Sequence, residues 1–323
     1  MKNLQSVFAK LASMVLFMSM LAPTAASAAP QITDLGTLGG DFSFARDINE
    51  PGQIVGESTT ASNETHAFLF TPWVGHMVDL GTLGGTFSRA SAIADRGIVT
   101  GTSSLPSGET RAFLWDQGSM IALPPRNGTP FSEGIDVNDS GVVVGQSGGV
   151  ATRWQGGSVQ SLGTLGGGSS FANGINSSAV IVGTSSTASG SFHGFVFRNG
   201  QMIDLGTFGG VSSTAEGINS SGDIVGTFEP GDGGAPRGYL LRGGVFVDLG
   251  VLQDSSVARA ISNSGLVVGE GGGSTFRHAV LWDYNLNLVD LGALGGSNFS
   301  SAFSVNSSGT VVGVSASRAV VWR

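Results

Sequence analysis

The sequence lacks cysteine altogether and contains only two lysines, Lys2 and Lys10. Without cysteine the chain can form no disulfide, no thiolate zinc site and no thiol nucleophile, and it cannot be lipidated at a lipobox. An apolar core must therefore stabilise the fold by itself, and a chain of 323 residues is long enough to bury one.

Basic side chains of any kind are scarce. The net charge is −8 for the whole chain and −10 for residues 29–323, because both lysines and no acidic residue precede residue 29. Nucleic acid and anionic membrane surfaces require basic patches that displace counterions, so neither is an expected partner. Sustained helical periodicity is absent as well. The 53 glycines instead favour many short strands joined by tight turns.

The first 28 residues have the three-part pattern of a secretory signal peptide. A basic start at Lys2 and Lys10 leads into an apolar stretch at residues 11–21, and Ala26-Ser27-Ala28 forms a small-residue cleavage site. A membrane anchor is the alternative, but the apolar stretch has about half of the roughly 20 residues that a bilayer crossing needs. We therefore predict cleavage after residue 28 and an exported mature chain, 29–323, with no membrane span.

A seven-residue motif recurs along the chain. It reads DLGTLGG from Asp34 and Asp79, SLGTLGG from Ser161, DLGTFGG from Asp204 and DLGALGG from Asp290, with weaker copies at Ala122 and Asp248. A second marker, a Val-Gly pair or its Thr-Gly equivalent, ends at Gly56, Gly101, Gly145, Gly183, Gly226, Gly269 and Gly313. Successive markers lie 38 to 45 residues apart, so the chain contains seven copies of one unit.

Each copy predicts four short strands, A to D. In the first complete copy they read FSFARDIN from Phe42, GQIVG from Gly52, HAFLF from His66 and MVDLG from Met77. Turn-forming residues separate strand A from strand B and strand C from strand D. A four-strand unit of this length has the size of one propeller blade.

The two ends of the repeat array complement each other. The mature sequence begins with a lone strand D at residues 31–36 and finishes on a strand C at residues 318–322. We therefore predict an all-β, seven-bladed β-propeller of four-stranded blades, a single domain over residues 29–323, whose last blade is closed by the N-terminal strand. An open β-solenoid is the alternative, and it would leave exposed edges that closure removes.

Strand A combines a uniform face with a variable one. Serine occupies the same position in all seven copies, and alanine or glycine follows two residues later, which places both on one face. The serines are Ser43, Ser88, Ser132, Ser170, Ser213, Ser256 and Ser300. This pattern predicts that strand A is innermost, where only small side chains fit between blades. A seven-fold series does not indicate a nucleophile, which requires one activated serine beside one base.

The other face of strand A carries charged and aromatic residues that differ between copies, and we expect it to line an axial channel. The candidate binding residues on this face are Arg46, Arg89, Glu133, Glu216 and Arg259. The B–C loops are a second candidate region, with Glu229 and Asp232 in the longest loop, residues 227–236, and Trp73 stands in an insertion at residues 71–76. Two carboxylates are too few for calcium. We expect no metal and no cofactor.

Five copies combine a basic residue at the start of strand C with an aspartate in strand D. The hairpin register places the two residues of each pair on one face of the sheet. The pairs are His66 with Asp79, His193 with Asp204, Arg237 with Asp248, His278 with Asp290 and, through ring closure, Arg318 with Asp34. A metal or acid–base site is the alternative use of His and Asp. Because the histidines belong to different copies, we favour structural pairs.

Strand C reads THAFLF from Thr65, RAFLW from Arg111, FHGFVF from Phe192 and RHAVLW from Arg277. Together with DLGTLGG and the IN-x-x-G-x-IVG segment, this pattern resembles the HAF-repeat family of bacterial extracellular proteins across essentially the whole mature chain. The resemblance implies a bacterial protein that is secreted, extracellular or periplasmic, and it transfers no catalytic residues.

Three functions remain open. We favour a non-enzymatic, monomeric binding or adhesion module that holds a glycan, a peptide or a surface protein at its B–C loop face and channel mouth. Its basis is the regular, acidic repeat without a convergent nucleophile, base and orienting residue. The alternatives are a propeller enzyme of the lyase or hydrolase type with a site at the channel mouth, which is an analogy from fold alone, and a structural extracellular component.

Overall fold

The computed structural model describes residues 30–323, and the predicted signal peptide lies outside these described residues. The described chain forms 28 strands, arranged as seven antiparallel sheets of four strands each. Two short 3₁₀ helices, Arg126–Gly128 and Leu294–Gly296, lie between sheets. The prediction of a seven-bladed β-propeller is confirmed.

Each blade contains strands A to D, ordered outward from the axis. Strands A are β2 (Gly39–Ile48), β6 (Ser88–Ile93), β10 (Ser132–Val137), β14 (Gly166–Ile175), β18 (Ser212–Ile218), β22 (Ser255–Ile261) and β26 (Ser300–Val305). Strands B are β3 (Ile54–Thr60), β7 (Val99–Ser104), β11 (Val143–Ser147), β15 (Ile181–Thr187), β19 (Ile224–Glu229), β23 (Val267–Gly272) and β27 (Val311–Ser315). Strands C are β4 (Thr65–Phe70), β8 (Thr110–Asp116), β12 (Val150–Gln155), β16 (Phe192–Arg198), β20 (Arg237–Arg242), β24 (Arg277–Trp282) and β28 (Arg318–Trp322). Strands D are β5 (Met77–Asp79), β9 (Ser119–Ala122), β13 (Ser158–Gly163), β17 (Gln201–Asp204), β21 (Val245–Asp248), β25 (Leu288–Asp290) and β1 (Ile32–Asp34).

The seventh blade is assembled from both ends of the described chain. Its strand order is β1-β28-β27-β26, and β1 pairs antiparallel with β28 so that Asp34 lies opposite Val320. Backbone hydrogen bonds between Gln31 and Arg323, at 2.9 and 3.1 Å in the two directions, extend this pairing. The N-terminal strand therefore closes the last blade, as predicted.

A β-bulge interrupts strand A at the same place in all seven blades. In the first blade it lies between Ala45 and Asp47 of β2. The backbones approach so closely at the bulge that a Cβ atom on Gly56 would collide with the carbonyl oxygen of Phe44. The Val-Gly marker of the sequence therefore supplies the glycine that this bulge requires.

Strand B is longer than the sequence pattern predicted. β3 continues four residues past Gly56 to Thr60, and β19 continues to Glu229. These residues stay in strand B because they keep pairing with strand A, as Glu229 does with Ser212. The assignment of residues 227–229 to the B–C loop was therefore wrong, and residues 230–236 alone connect β19 to β20.

The apolar core lies between neighbouring blades. Buried Phe68 of β4, for example, packs in one cluster with Ala45 of its own blade and with Val312 and Val321 of the seventh blade. Each such buried side chain contributes about 1.5–3 kcal/mol to stability. Within residues 30–323, no helix is long and apolar enough to cross a membrane.

The recurring serine of strand A joins each blade to the one before it. Ser88 Oγ accepts a hydrogen bond from the N–H of Ala67 at 2.8 Å and donates one to the carbonyl of Gly81 at 2.6 Å. Both partners belong to the preceding blade. All seven serines are buried and accept the equivalent N–H bond. The uniform face of strand A therefore provides hydrogen bonds between blades as well as close packing.

Asparagines form a second set of links where strand A ends. Asn138 Nδ2 donates to the carbonyl of Asn176, and Asn176 Nδ2 donates to the carbonyl of Asn219, each at 3.1 Å. Asn306 donates to the carbonyl of Asn49 at 3.4 Å, which joins the seventh blade to the first. These links fix the positions of the A strands around the axis.

Candidate functional site

A cavity of about 390 Å³ lies on the axis of the ring and is lined by strand A of every blade. In each blade the residue that follows the recurring small residue contributes to the wall. These seven residues are Arg46, Ser91, Ile135, Asn173, Glu216, Arg259 and Phe303. The variable face of strand A therefore surrounds the cavity, and its chemistry changes from blade to blade.

Three arginines at this wall form ion pairs with glutamates. The Nη-to-carboxylate distances are 2.5 Å for Arg46 with Glu57, 2.6 Å for Arg89 with Glu133 and 3.0 Å for Arg259 with Glu270. Glu57 lies on β3 and Glu270 on β23, and both side chains are buried. Because ionised partners form short, strong hydrogen bonds, the pairs hold the guanidinium groups in defined positions.

Phe303 lies between two of these arginines. The Cζ atoms of Arg46 and Arg259 lie 5.1 and 5.5 Å from the centroid of its ring, which are cation–π distances. The Nε atoms of both arginines are buried and have no hydrogen-bond partner within residues 30–323. Buried donors without a partner are uncommon in folded proteins, so these two atoms are exceptions that the ion pairs of the same guanidinium groups accompany.

Two aspartates lie in the channel wall directly after the bulge. Asp47 accepts hydrogen bonds from the N–H of Ile93 at 2.8 Å and from the hydroxyl of Ser304 at 2.6 Å. Asp136 accepts one from the N–H of Ile175 at 2.7 Å. Each aspartate therefore joins its own blade to a neighbour. The other five blades carry small residues at this position, namely Ala92, Gly174, Gly217, Ala260 and Ser304.

These two carboxyl groups titrate abnormally. Burial raises the pKa of Asp136 to about 7, and the nearby charge of Asp47 adds to the increase. Burial also raises the pKa of Asp47, although the hydrogen bond from Ser304 opposes the change. In both cases removal from water penalises the charged form.

A second cavity of about 200 Å³ adjoins the first where the A–B turns meet, and the two share Asp47, Ile218, Ile261 and Ser304. Its charged lining residues are all acidic: Asp47, Glu50, Asp95 and Asp139. Burial raises the pKa of Asp95, and the charges of Asp139 and Glu50 add to the increase. Within residues 30–323, no group of three or more His, Cys, Asp and Glu side chains is arranged to hold a metal ion.

Five of the candidate binding residues taken from the sequence lie together in the structure. Arg46, Arg89, Glu216 and Arg259 line the 390 Å³ cavity. Glu133 joins them through its ion pair with Arg89, which bridges the second and third blades. The variable face of strand A was thus the part of the sequence that points to this site.

The other three candidates lie apart from both described cavities. Glu229 is the exposed last residue of β19, and Asp232 lies in the exposed connection that follows it. Trp73 is 69% exposed in the connection between β4 and β5. Because C–D connections lie at the end of the ring opposite to the B–C connections, Trp73 is on the other face.

The basic and acidic residues of strands C and D are in contact in five blades. The distances are 2.8 Å for His66 and Asp79, 2.9 Å for His193 and Asp204, 2.6 Å for Arg237 and Asp248, 3.0 Å for His278 and Asp290, and 3.1 Å for Arg318 and Asp34. The same aspartates accept the N–H of a glycine two residues later, as Asp79 does from Gly81 at 2.8 Å. Each of these five blades therefore contains one pair, and the pairs are distributed around the ring.

No family model and no curated protein matches the sequence. Solved structures do resemble the fold. A streptogramin B lyase structure is 10% identical, with a TM-score of 0.63 over 91% of this chain and 98% of that chain. The virginiamycin B lyase from Staphylococcus aureus is 11% identical, with a TM-score of 0.58 over 91% and 98%.

The β-propeller domain of the Trilobed protease from Pyrococcus furiosus is similar as well. It is 12% identical, with a TM-score of 0.57 over 87% of this chain and 93% of that chain. The chain is a β-propeller. At these sequence identities, the structural similarity shows the fold and gives no information about the chemistry.

Four residues of the site escaped the sequence analysis. Glu57 and Glu270 follow the Val-Gly marker on strand B, and Asp47 and Asp136 follow the bulge on strand A. When the seven copies are aligned, the other copies hold an uncharged residue at the position after the Val-Gly marker and at the position after the bulge. The carboxylates at these two positions were therefore the signal in the sequence. The repeat pattern drew attention instead to the residues that the copies share.

Proposed function

We propose that this chain is an exported, non-enzymatic binding module that holds its ligand in the axial cavity at the channel mouth. One observation carries the proposal. The strand A residues between blades are serine and alanine or glycine throughout, whereas the residues facing the cavity include Arg, Ser, Ile, Asn, Glu and Phe. The uniform residues are needed for the blades to pack into a closed ring. The varied residues line a pocket that contains a few convergent polar groups.

The use of the polar groups supports a binding role without turnover. Arg46, Arg89 and Arg259 are each paired with a glutamate, so their positions are fixed before a ligand arrives. Asp47 and Asp136 accept backbone N–H bonds from neighbouring blades, which is a structural use of a carboxylate. Export is inferred from the signal-peptide pattern of residues 1–28 and from the resemblance to bacterial extracellular repeat proteins.

A blocked cavity tests the proposal. Ser91 lines the cavity without an ion pair, so Ser91→Trp fills the space while leaving the three Arg–Glu pairs in place. Ser119→Trp is the matched control, because Ser119 is exposed at the start of the outer strand β9. Wild type and both variants are applied to glycan, peptide and protein arrays. Retention of wild type and Ser119→Trp but not of Ser91→Trp is expected, and equal retention of all three contradicts the proposal.

Catalysis in the channel is the second candidate function. It is favoured by the pKa of about 7 for Asp136, which suits a general acid or base at neutral pH. Prolonged incubation of wild type with every ligand that the arrays retain, followed by mass spectrometry, separates the two functions. We expect unchanged ligand masses. A product made by wild type and absent with Asp136→Asn would show that the protein is an enzyme.

A further inference from the structure

The start of strand A differs between two parts of the ring, on the face that carries the B–C connections. The residue before the recurring serine is phenylalanine in four consecutive blades, the seventh, first, second and third. These residues are Phe299, Phe42, Phe87 and Phe131, and we call them the aromatic arc. In the fourth, fifth and sixth blades the same position holds Ser169, Ser212 and Ser255. At this position the ring is therefore aromatic on one side and hydroxyl-bearing on the other.

The aromatic arc is accessible, and in the first blade it continues toward the cavity wall. Phe131 and Phe299 are 39% and 44% exposed, and Phe42 and Phe87 are half-buried. The ring of Phe42 meets that of Phe44 edge to face at 5.7 Å, and Phe44 lies 5.4 Å from the guanidinium of Arg46. In the first blade, aromatic rings therefore lead from the arc to Arg46 of the cavity wall.

The backbone under the arc is held in place. The carbonyl of Phe42 accepts a hydrogen bond from Ser58 Oγ at 3.1 Å, and that of Phe87 accepts one from Ser103 Oγ at 3.0 Å. Ser315 Oγ makes the equivalent bond of 3.1 Å to the carbonyl of Phe299 in the seventh blade. The rings are thus presented from a rigid support, which lowers the entropic cost of binding.

We propose that the aromatic arc and the cavity together bind a neutral polysaccharide, with the chain lying across the arc and one sugar unit entering the cavity. This inference rests on the proposed function and names its ligand class. A pyranose ring has apolar C–H faces that pack on aromatic rings, whose faces carry partial negative charge. Its hydroxyls each donate and accept hydrogen bonds, and the paired arginines and glutamates of the wall offer both donors and acceptors.

The charges favour a neutral chain over a charged one. Each of the three arginines already has a glutamate partner, and Glu216 adds a further acidic group to the wall. An anionic polymer would meet these carboxylates and a mature chain of charge −10. A cationic polymer would meet the guanidinium groups of Arg46, Arg89 and Arg259, which lie at the same wall. A neutral ligand avoids both costs.

Affinity gel electrophoresis tests the inference with the full mature chain. The gels contain hydroxyethylcellulose, xyloglucan, galactomannan or dextran as neutral probes, and alginate or polygalacturonate as acidic ones. The test variant is Phe131→Ala with Phe299→Ala. The control is Phe192→Ala, because Phe192 is as exposed as Phe299, at 44%. Its blade carries Ser169 at the position where the arc carries phenylalanine. Unchanged thermal midpoints establish that each variant is folded, and Phe131→Tyr with Phe299→Tyr should restore binding.

The expected result is retardation by at least one neutral probe and by neither acidic probe. Each lost ring should weaken binding about two- to tenfold, and Phe192→Ala should bind as wild type does. Full affinity in the double alanine variant overturns the inference. Array binding of wild type to a peptide or a protein, blocked by Ser91→Trp and without any neutral polysaccharide, also overturns it while the proposed function stands. Absence of binding in every format overturns both.

Discussion

The hydroxyl of Ser304 donates to Oδ1 of Asp47 across 2.6 Å, although the two residues lie 257 positions apart in the chain. This bond crosses the seam between the seventh blade and the first. At the same seam Asn306 donates to the carbonyl of Asn49. Within the seventh blade, Arg318 of β28 pairs with Asp34 of the N-terminal strand β1. Closure of the ring therefore depends on side chains as well as on the pairing of β1 with β28.

The Arg318–Asp34 pair of the seventh blade predicts a stability difference between two arginine substitutions. Asp34→Arg removes the partner of Arg318 and the acceptor for the N–H of Gly36, so the free energy of unfolding should fall by about 1–2 kcal/mol. Ala122→Arg changes the equivalent position of the second blade, where no acidic partner is lost, and should cost less. Urea unfolding measures both. An equal loss in the two variants would show that the pair does not stabilise the closure.

The serine links predict a graded effect on stability. Ser170 accepts the N–H of Ala151 and donates to the carbonyl of Gly163, so Ser170→Ala leaves a buried donor and a buried acceptor without partners. We expect a loss of about 2 kcal/mol, as is usual for such groups.

A neighbouring substitution is the control for this loss. Ser169→Ala changes a residue on the channel face, and the expected change is below about 0.5 kcal/mol. Thermal unfolding of both variants is the measurement. If the two alanine variants unfold at the same temperature, the recurring serines fill space and do not link the blades.

The titration of Asp136 predicts a pH dependence of stability. Burial raises the pKa of Asp136 to about 7, whereas an aspartate in the unfolded chain has a pKa of about 3.9. The folded protein therefore binds more protons than the unfolded chain between these values. The contribution of this group to stability is full below about pH 4 and is lost as the pH rises to about 7.

Asp136→Asn isolates this contribution. We expect the free energy of unfolding of the variant, relative to wild type, to increase between pH 4.5 and pH 8. The change is at most about 4 kcal/mol, because one pKa unit corresponds to about 1.4 kcal/mol. Parallel guanidinium unfolding curves across this pH range provide the values. A difference that does not vary with pH would show that Asp136 is ionised in the folded protein throughout.

The repeat was sufficient to predict the blades, their closure and the face of strand A that surrounds the axis. Strict alternation along a strand places Arg46 and Glu216 on that face, because side chains repeat every second residue. The same alternation assigns Asp47 to the interface between blades. The bulge after Ala45 breaks the alternation, so Asp47 joins Arg46 in the channel wall.

The ion-pair partners could not be assigned from the sequence because they depend on contacts between strands. Arg46 pairs with Glu57 on the next strand of its own blade, whereas Arg89 pairs with Glu133 on the next blade. Nothing in the spacing of the repeat decides between these two choices. The choice of partner depends on side-chain length and on the space that neighbouring side chains leave. That space is determined only when the ring is closed.

A crystal structure with a bound oligosaccharide is the most direct test of the proposed binding site. The oligosaccharide is taken from the polysaccharide that gives the strongest retardation. Ordered sugar density is expected in the 390 Å³ cavity, with hydroxyls within hydrogen-bond distance of side chains of its lining, such as Asn173 or Glu216. A sugar unit should also lie on at least one ring of the aromatic arc. Sugar density in the 200 Å³ acidic cavity where the A–B turns meet, with none in the 390 Å³ cavity, would contradict the proposed binding site.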